Sequence, residues 1–331
     1  MWKTEVEHTP FLKTGRCVTM SQWLTPTSAW PLWTVYPLAT ACFYLNYFVV
    51  FPFLAKRRVE QYNHLDSVNR MCFIANLGST IHSYCCVVML FIVLVTDEEM
   101  RIPSRRLMPH YNPLGYSAVC FTLAYFSLSL PWNMYMRFVM KRDDVVPLPM
   151  LAHHVMVVFG ACIYVFSGVC AFYGALAFAC MELTNLFFVP RVIFEILGWR
   201  VDSALCTVNG LLLVVTFVVF RIGVTSAAAV VFTIDIARLG SSASTTQWTL
   251  IVLAYLIFLG VLLLSWIWLH RVLKECKGGV QALLRQRRAH KAQEAKLKDL
   301  KSNAKASGTR ASSKVHPIDD GFPNTVSVDV A

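Results

Sequence analysis

Seven runs of mostly apolar residues divide this 331-residue chain, at about 31–54, 71–95, 114–138, 149–167, 169–198, 205–231 and 248–270. Crossing a bilayer takes about 20 such residues. Backbone in lipid must also satisfy its own hydrogen bonds, which a helix does and an open strand does not. The runs therefore predict an all-α polytopic membrane protein with about seven transmembrane helices. Composition agrees, since only 15% of the residues are charged, where a soluble domain carries about a quarter. The first residues, "MWKTEVEHTPFLKTGRCVTMSQWLTP", hold no apolar core of signal-peptide type, so no cleaved leader is expected. Nine of the eleven cysteines, all but Cys17 and Cys276, fall inside the runs and none forms a CxxC. They read as small hydrophobes rather than as a disulfide framework or a zinc site.

Charge sets an orientation. Twenty of the 30 Lys and Arg residues fall in "AKRRVEQYNHLDSVNR", "KRDD", "GWR" and the tail from Arg271, all on one side of a seven-span topology. The opposite side holds seven, and Arg137, Arg191 and Arg221 lie within spans. Cytosolic loops are the basic ones, so the expectation is a lumenal or extracellular N-terminus and a cytosolic tail. The tail begins as a basic, partly helical segment and fades into a polar, disordered end. A basic segment beside a membrane finds its partner in an anionic leaflet, and nucleic-acid binding is not expected. Cys276, just past the last run, reads equally as a palmitoylation site or a plain thiol. The expected organisation is a lumenal segment at 1–29, an extra N-terminal helix at 30–54, a domain over 63–278 and a basic tail over 279–331.

Ionisable groups inside spans are expensive and mark function or interhelical contacts. They are His82, Arg137, His153, His154, Glu182, Arg191, Glu195 and Arg221. Arg137 sits near a span end and can snorkel. Arg191 and Glu195, four apart, are expected to pair with each other beside a kink at Pro190. Glu182 shares a helical face with Asn185 at i+3. Two readings of it compete, a neutral helix–helix hydrogen bond and a cavity carboxylate that orients an imidazole. His82 stands beside a stripe of Asn76, Ser79, Thr80 and Ser83, where an interhelical histidine is the simpler account. In "PLPMLAHHVMVVFGACIYVF" the adjacent His153 and His154 open a span. Neighbours on a helix point about 100° apart, so the rings cannot share one task. They read either as interfacial polar residues or as one general base or nucleophile working near neutral pH. No further ligands at metal-site spacing accompany them.

Three stretches, "LAHHVMVVFGACIYVF", "LAFACMELTNLFFVPRVIFEILGW" and "VNGLLLVVTFVVFRI", resemble the TLC domain shared by TRAM, ceramide synthases and related membrane proteins. The nearest likeness is to the branch of TLC-domain-containing protein 4, the transmembrane protein 56-like type. The likeness covers about residues 63–278 and rests on the ordered series of the histidine pair, the glutamate, Pro-Arg and Asn-Gly…Arg. It implies six helices around a lipid cavity, one extra N-terminal helix, and residence in the endoplasmic reticulum or another endomembrane. His153, His154 and Glu182 become the candidate catalytic residues, and His82, Asn185, Arg191 and Arg221 the candidate cavity residues. The chain departs from ceramide synthases at Val157, where they carry threonine. It departs again at Met181, Glu182 and Asn185, where they carry His-Asp and a second Asp.

The first functional expectation is therefore lipid binding in the helical bundle and a part in membrane lipid homeostasis, with membrane lipids as partners and no cofactor or metal. The alternative is a ceramide synthase-like N-acyltransferase, with acyl-CoA as co-substrate and an acyl chain or sphingoid lipid bound. A cargo or interaction receptor of the endoplasmic reticulum is a third expectation, weakened by a chain end, "VSVDVA", without a dilysine retrieval signal.

Overall fold

A computed structural model describes residues 26–199, 203–239 and 243–306. The expectations for residues 1–25 and 307–331 lie outside the described residues. All the secondary structure described is helical. Seven helices are long and apolar enough to cross a membrane: α1 (Pro31–Arg58), α2 (Ser67–Thr96), α3 (Pro113–Val139), α4 (Leu148–Ser167), α5 (Ala171–Ile196), α6 (Ala204–Leu239) and α7 (Thr245–Lys274). The protein is an all-α, multi-pass integral membrane protein. The sixth helix runs to Leu239, past the end of its apolar run near residue 231. In its polar last turns Thr233 Oγ1 donates to the Ala229 carbonyl, and Asp235 accepts from Tyr173 of α5.

The starts of α2 and α3 carry side-chain caps. Asp66 caps α2 by accepting from the Asn69 N–H at 2.8 Å, and Asn112 caps α3 by accepting from Leu114 and Gly115 at 3.0 Å each. Pro113 occupies the first turn of α3, where its missing N–H costs nothing. Helix α4 ends at Gly168, whose φ of 64° only glycine adopts freely, and the chain turns at once into α5.

Three spans contain a π-helical stretch: Asn46–Val50 in α1, Tyr135–Val139 in α3 and Phe217–Val224 in α6. The bundle packs on small residues. Cys86, Ala118, Cys120, Ala124, Ala161, Ala171 and Ala175 are all buried to 1% exposure or less, which lets helix backbones approach closely where no water drives association. Helix α1 lies on α3 through Phe43 against Phe121 and through Tyr36 Oη with Ser127 Oγ. Large apolar residues such as Trp33, Phe48, Phe91, Phe159, Leu211 and Leu263 face outward, as lipid contact requires.

The chain divides into two compact units at Leu269 and His270. In the second unit the helix that began at Thr245 continues to Ala306, and residues 291–301 are exposed on every side. In the first unit, Arg137 donates to the Val146 carbonyl and meets Asp143 at 3.4 Å, so it is tied to the α3–α4 turn.

Candidate functional site

A band of polar side chains crosses the interior of the first unit, built from α2, α3, α4, α5, α6 and α7. Glu182 of α5 is 4% exposed and supplies its anchor. Its Oε2 accepts from Ser83 Oγ at 2.5 Å and Asn185 Nδ2 at 3.1 Å, and lies 3.5 Å from His82 Nδ1. Asn185 reaches it because i and i+3 share a helix face. Three groups on one oxygen satisfy an acceptor that lipid would leave bare. The other nitrogen of His82, Nε2, lies 3.2 Å from Thr122 Oγ1, and Cys86 Sγ is 3.3 Å away. Thr122 donates its own proton to the Ala118 carbonyl. The ring stacks on Tyr125 at 4.4 Å.

The adjacent histidines are both interior, at 8% and 7% exposure. Both rings pack against neighbouring helices. His154 Nδ1 faces Asn133 Nδ2 at 2.7 Å, with Ser129 Oγ at 3.4 Å. With the amide nitrogen toward the ring, Nδ1 accepts and the proton of the neutral imidazole sits on Nε2. His153 points elsewhere, as a 100° offset demands. Its ring meets Trp268 of α7 edge-on at 5.1 Å, and its buried Nδ1 has no hydrogen-bond partner among the described residues. Phe126 of α3 separates the histidines of α2 and α4, touching His82 at 6.0 Å and His154 at 4.9 Å.

Arg221 of α6 completes the band at 4% exposure. It donates from Nε to Ser265 Oγ and from Nη1 to Thr184 Oγ1, each at 3.2 Å, and sits 4.6 Å over the Trp268 ring. Of the residues expected from the sequence, His82, His153, His154, Glu182, Asn185 and Arg221 share this band. Arg191 does not join it. It is half-buried with its guanidinium beside Gly210, and no ion pair joins it to Glu195 among the described residues. The two residues are one turn apart, but Arg191 turns toward α6 instead. Thr122, Ser129, Asn133, Thr184, Ser265 and Trp268 were missed by sequence reasoning. Hydroxyl residues are ordinary in spans, and only Asn133, an amide within "LPWNMYM", carried a signal. Among the described residues no group of three or more His, Cys, Asp or Glu side chains is placed to hold a metal ion.

Next to the band, α4, α5, α6 and α7 line a partly open apolar slot of about 60 Å³, with Met156, Val157, Tyr173, Phe178, Met181 and Val261 among its walls. That is several times the roughly 10–15 Å³ that admits one water, in a lining that favours dryness. Three lining residues lie one turn or less from the band: Val157 from His153, Met181 from Glu182, and Val261 from Ser265. Val157 and Met181, where the resemblance to ceramide synthases breaks, line this apolar slot.

At the other end of α5 the segment between α2 and α3 closes over the helices. Asp97 accepts from His110 Nε2 at 2.8 Å and from Asn112 Nδ2 at 2.7 Å. Burial pushes the Asp97 carboxyl up, but these bonds more than offset it and hold the group below its ordinary value. Arg106 meets Asp235 at 3.5 Å, and Tyr173 donates to the same carboxylate at 2.5 Å.

A multi-pass helical bundle with a buried histidine–carboxylate band beside an apolar slot defines the class. The TLC domain matches residues 72–274, and the chain belongs to the TLC-domain family. Neither the curated proteins nor the solved structures offer a match.

Proposed function

We propose that this TLC-domain protein takes the hydrocarbon chain of a membrane lipid into the α4–α7 slot, holds its polar end at the histidine band, and contributes to membrane lipid homeostasis. One observation carries the reading: an apolar slot lies beside buried His153, Glu182 and Ser265, the two environments an amphipathic molecule needs. Residence in the endoplasmic reticulum or another endomembrane, a lumenal N-terminus and membership of the transmembrane protein 56-like branch belong to the same proposal. They are supported by the loop charges and by the order of the histidine pair, glutamate, Pro-Arg and Asn-Gly…Arg.

A second reading is N-acyl transfer from acyl-CoA to a sphingoid amine. It is favoured by His153 Nδ1, a buried imidazole nitrogen free to take a proton or an acyl group. It is opposed by Val157 and Met181, which supply no polar group where that chemistry uses them. The test is the lipid profile of a deletion strain complemented with wild type, His153→Gln, His154→Gln or Glu182→Gln at equal protein abundance. At least one histidine variant is expected to lose complementation, because glutamine cannot take up a proton near neutral pH, and Glu182→Gln to be intermediate. Full complementation by both histidine variants and their double variant would show the band to be structural. A loss confined to N-acylated sphingoid lipids would select the acyltransferase reading.

A further inference from the structure

Arg221 is a buried cation held by neutral groups. Its partners among the described residues are the hydroxyls of Ser265 and Thr184 and the rings of Trp268 and Phe217. Among the described residues no carboxylate oxygen lies within 4.0 Å of it. Glu182, the one acid of the band, lies beyond that distance, and its Oε2 is taken up by Ser83, Asn185 and His82. A charge withdrawn from water without a counter-charge in contact costs several kcal/mol unless something else supplies one. The same indole that carries the guanidinium carries the ring of His153, 92% buried, whose Nδ1 has a hydrogen bond to give or take and no partner. Arg221 also stands in the π-helical stretch Phe217–Val224, a distortion that helices accept mostly where function needs a side chain re-aimed.

We infer that Arg221 and His153 form a head-group site for the anionic end of a single-chain lipid, a carboxylate or a phosphate monoester. Guanidinium donors match either oxyanion in a two-pronged geometry that a lysine ammonium lacks. Trp268 screens the contact from water. The chain of such a lipid runs from this head site along Val157, Met181 and Val261, so the inference rests on the slot accepting hydrocarbon.

The experiment compares three ligands of one chain length on the purified full-length protein in uncharged detergent at mildly alkaline pH: oleate, oleoyl lysophosphatidate and uncharged oleyl alcohol. At least one anion is expected to bind about tenfold or more tighter than the alcohol, the scale of one hydrogen bond to a charged group. Which anion wins separates the carboxylate source from the phosphate. Arg221→Gln should bring the anion down to the alcohol's affinity and leave the alcohol unchanged, while Arg221→Lys keeps part of the preference. Equal binding of all three ligands overturns this inference and leaves the slot reading standing; binding of none overturns both. A preference that survives Arg221→Gln also overturns it. If that variant does not purify as a folded protein, His153→Phe takes its place. It keeps the ring on Trp268 and breaks no hydrogen bond, so a lost preference supports the site and an intact one sinks it.

Discussion

Glu182 takes its character from what touches one oxygen, and those groups are a hydroxyl, an amide and an imidazole from two helices. The sequence shows the i, i+3 amide but not which imidazole answers. It is His82, the histidine that pattern alone assigned to a simple helix contact, and not the conspicuous pair on α4. Asp97 gives the residue-scale test outside the membrane. Its carboxyl is held below the unfolded value by His110 and Asn112, so its contribution is fully present above about pH 4, the ordinary aspartate value, and is lost as pH falls through the depressed folded one. Thermal stability of Asp97→Asn should therefore lie below wild type at neutral pH, with the gap closing in acid. A gap that stays constant into strong acid would mean the carboxylate charge plays no part.

Between elements, glycines mark where two helices come too close for a side chain. A Cβ on Gly78 of α2 would meet the Tyr47 ring of α1 with Cζ at 2.6 Å, whereas one on Gly160 of α4 would sit 3.6 Å from Ile257 of α7. Both substitutions to alanine add about 1 kcal/mol of helix propensity. Gly160→Ala is therefore expected to be neutral or stabilising. Gly78→Ala must shift Tyr47, whose Oη lies 3.3 Å from the Ala75 carbonyl, at about 1–3 kcal/mol for overpacking. Thermal unfolding of the two purified variants checks the order, and a Gly78→Ala protein as stable as Gly160→Ala would show that α1 yields freely. The π-helical stretches belong to this scale too. A run as uniformly apolar as "GLLLVVTFVVFRI" has no periodicity for an extra residue to interrupt, so nothing in it announces the wide turn that aims Arg221.

Across the whole molecule, the basic loops predict that residues 1–20 face the lumen and the tail faces the cytosol. Glycosylation acceptors inserted into residues 1–20 should be modified and one placed after Arg310 should not. The reverse pattern would invert the orientation. The number of spans and the all-helical class were readable directly, because the bilayer imposes a length and a polarity that composition alone can meet. The ordered histidine, glutamate and arginine motifs could likewise be read along one dimension. Which polar groups touch could not, since the contacts that join Glu182 to His82, His154 to Asn133, and Arg221 to Thr184 and Ser265 link residues on different helices. His153 and His154 show the difference most plainly. As a sequence they open a span at its basic end, where water is within reach. Packing then buries both, sending one ring to Asn133 and the other to Trp268 beside Arg221, because close helix contacts leave a side chain no choice but the neighbour that tertiary structure provides.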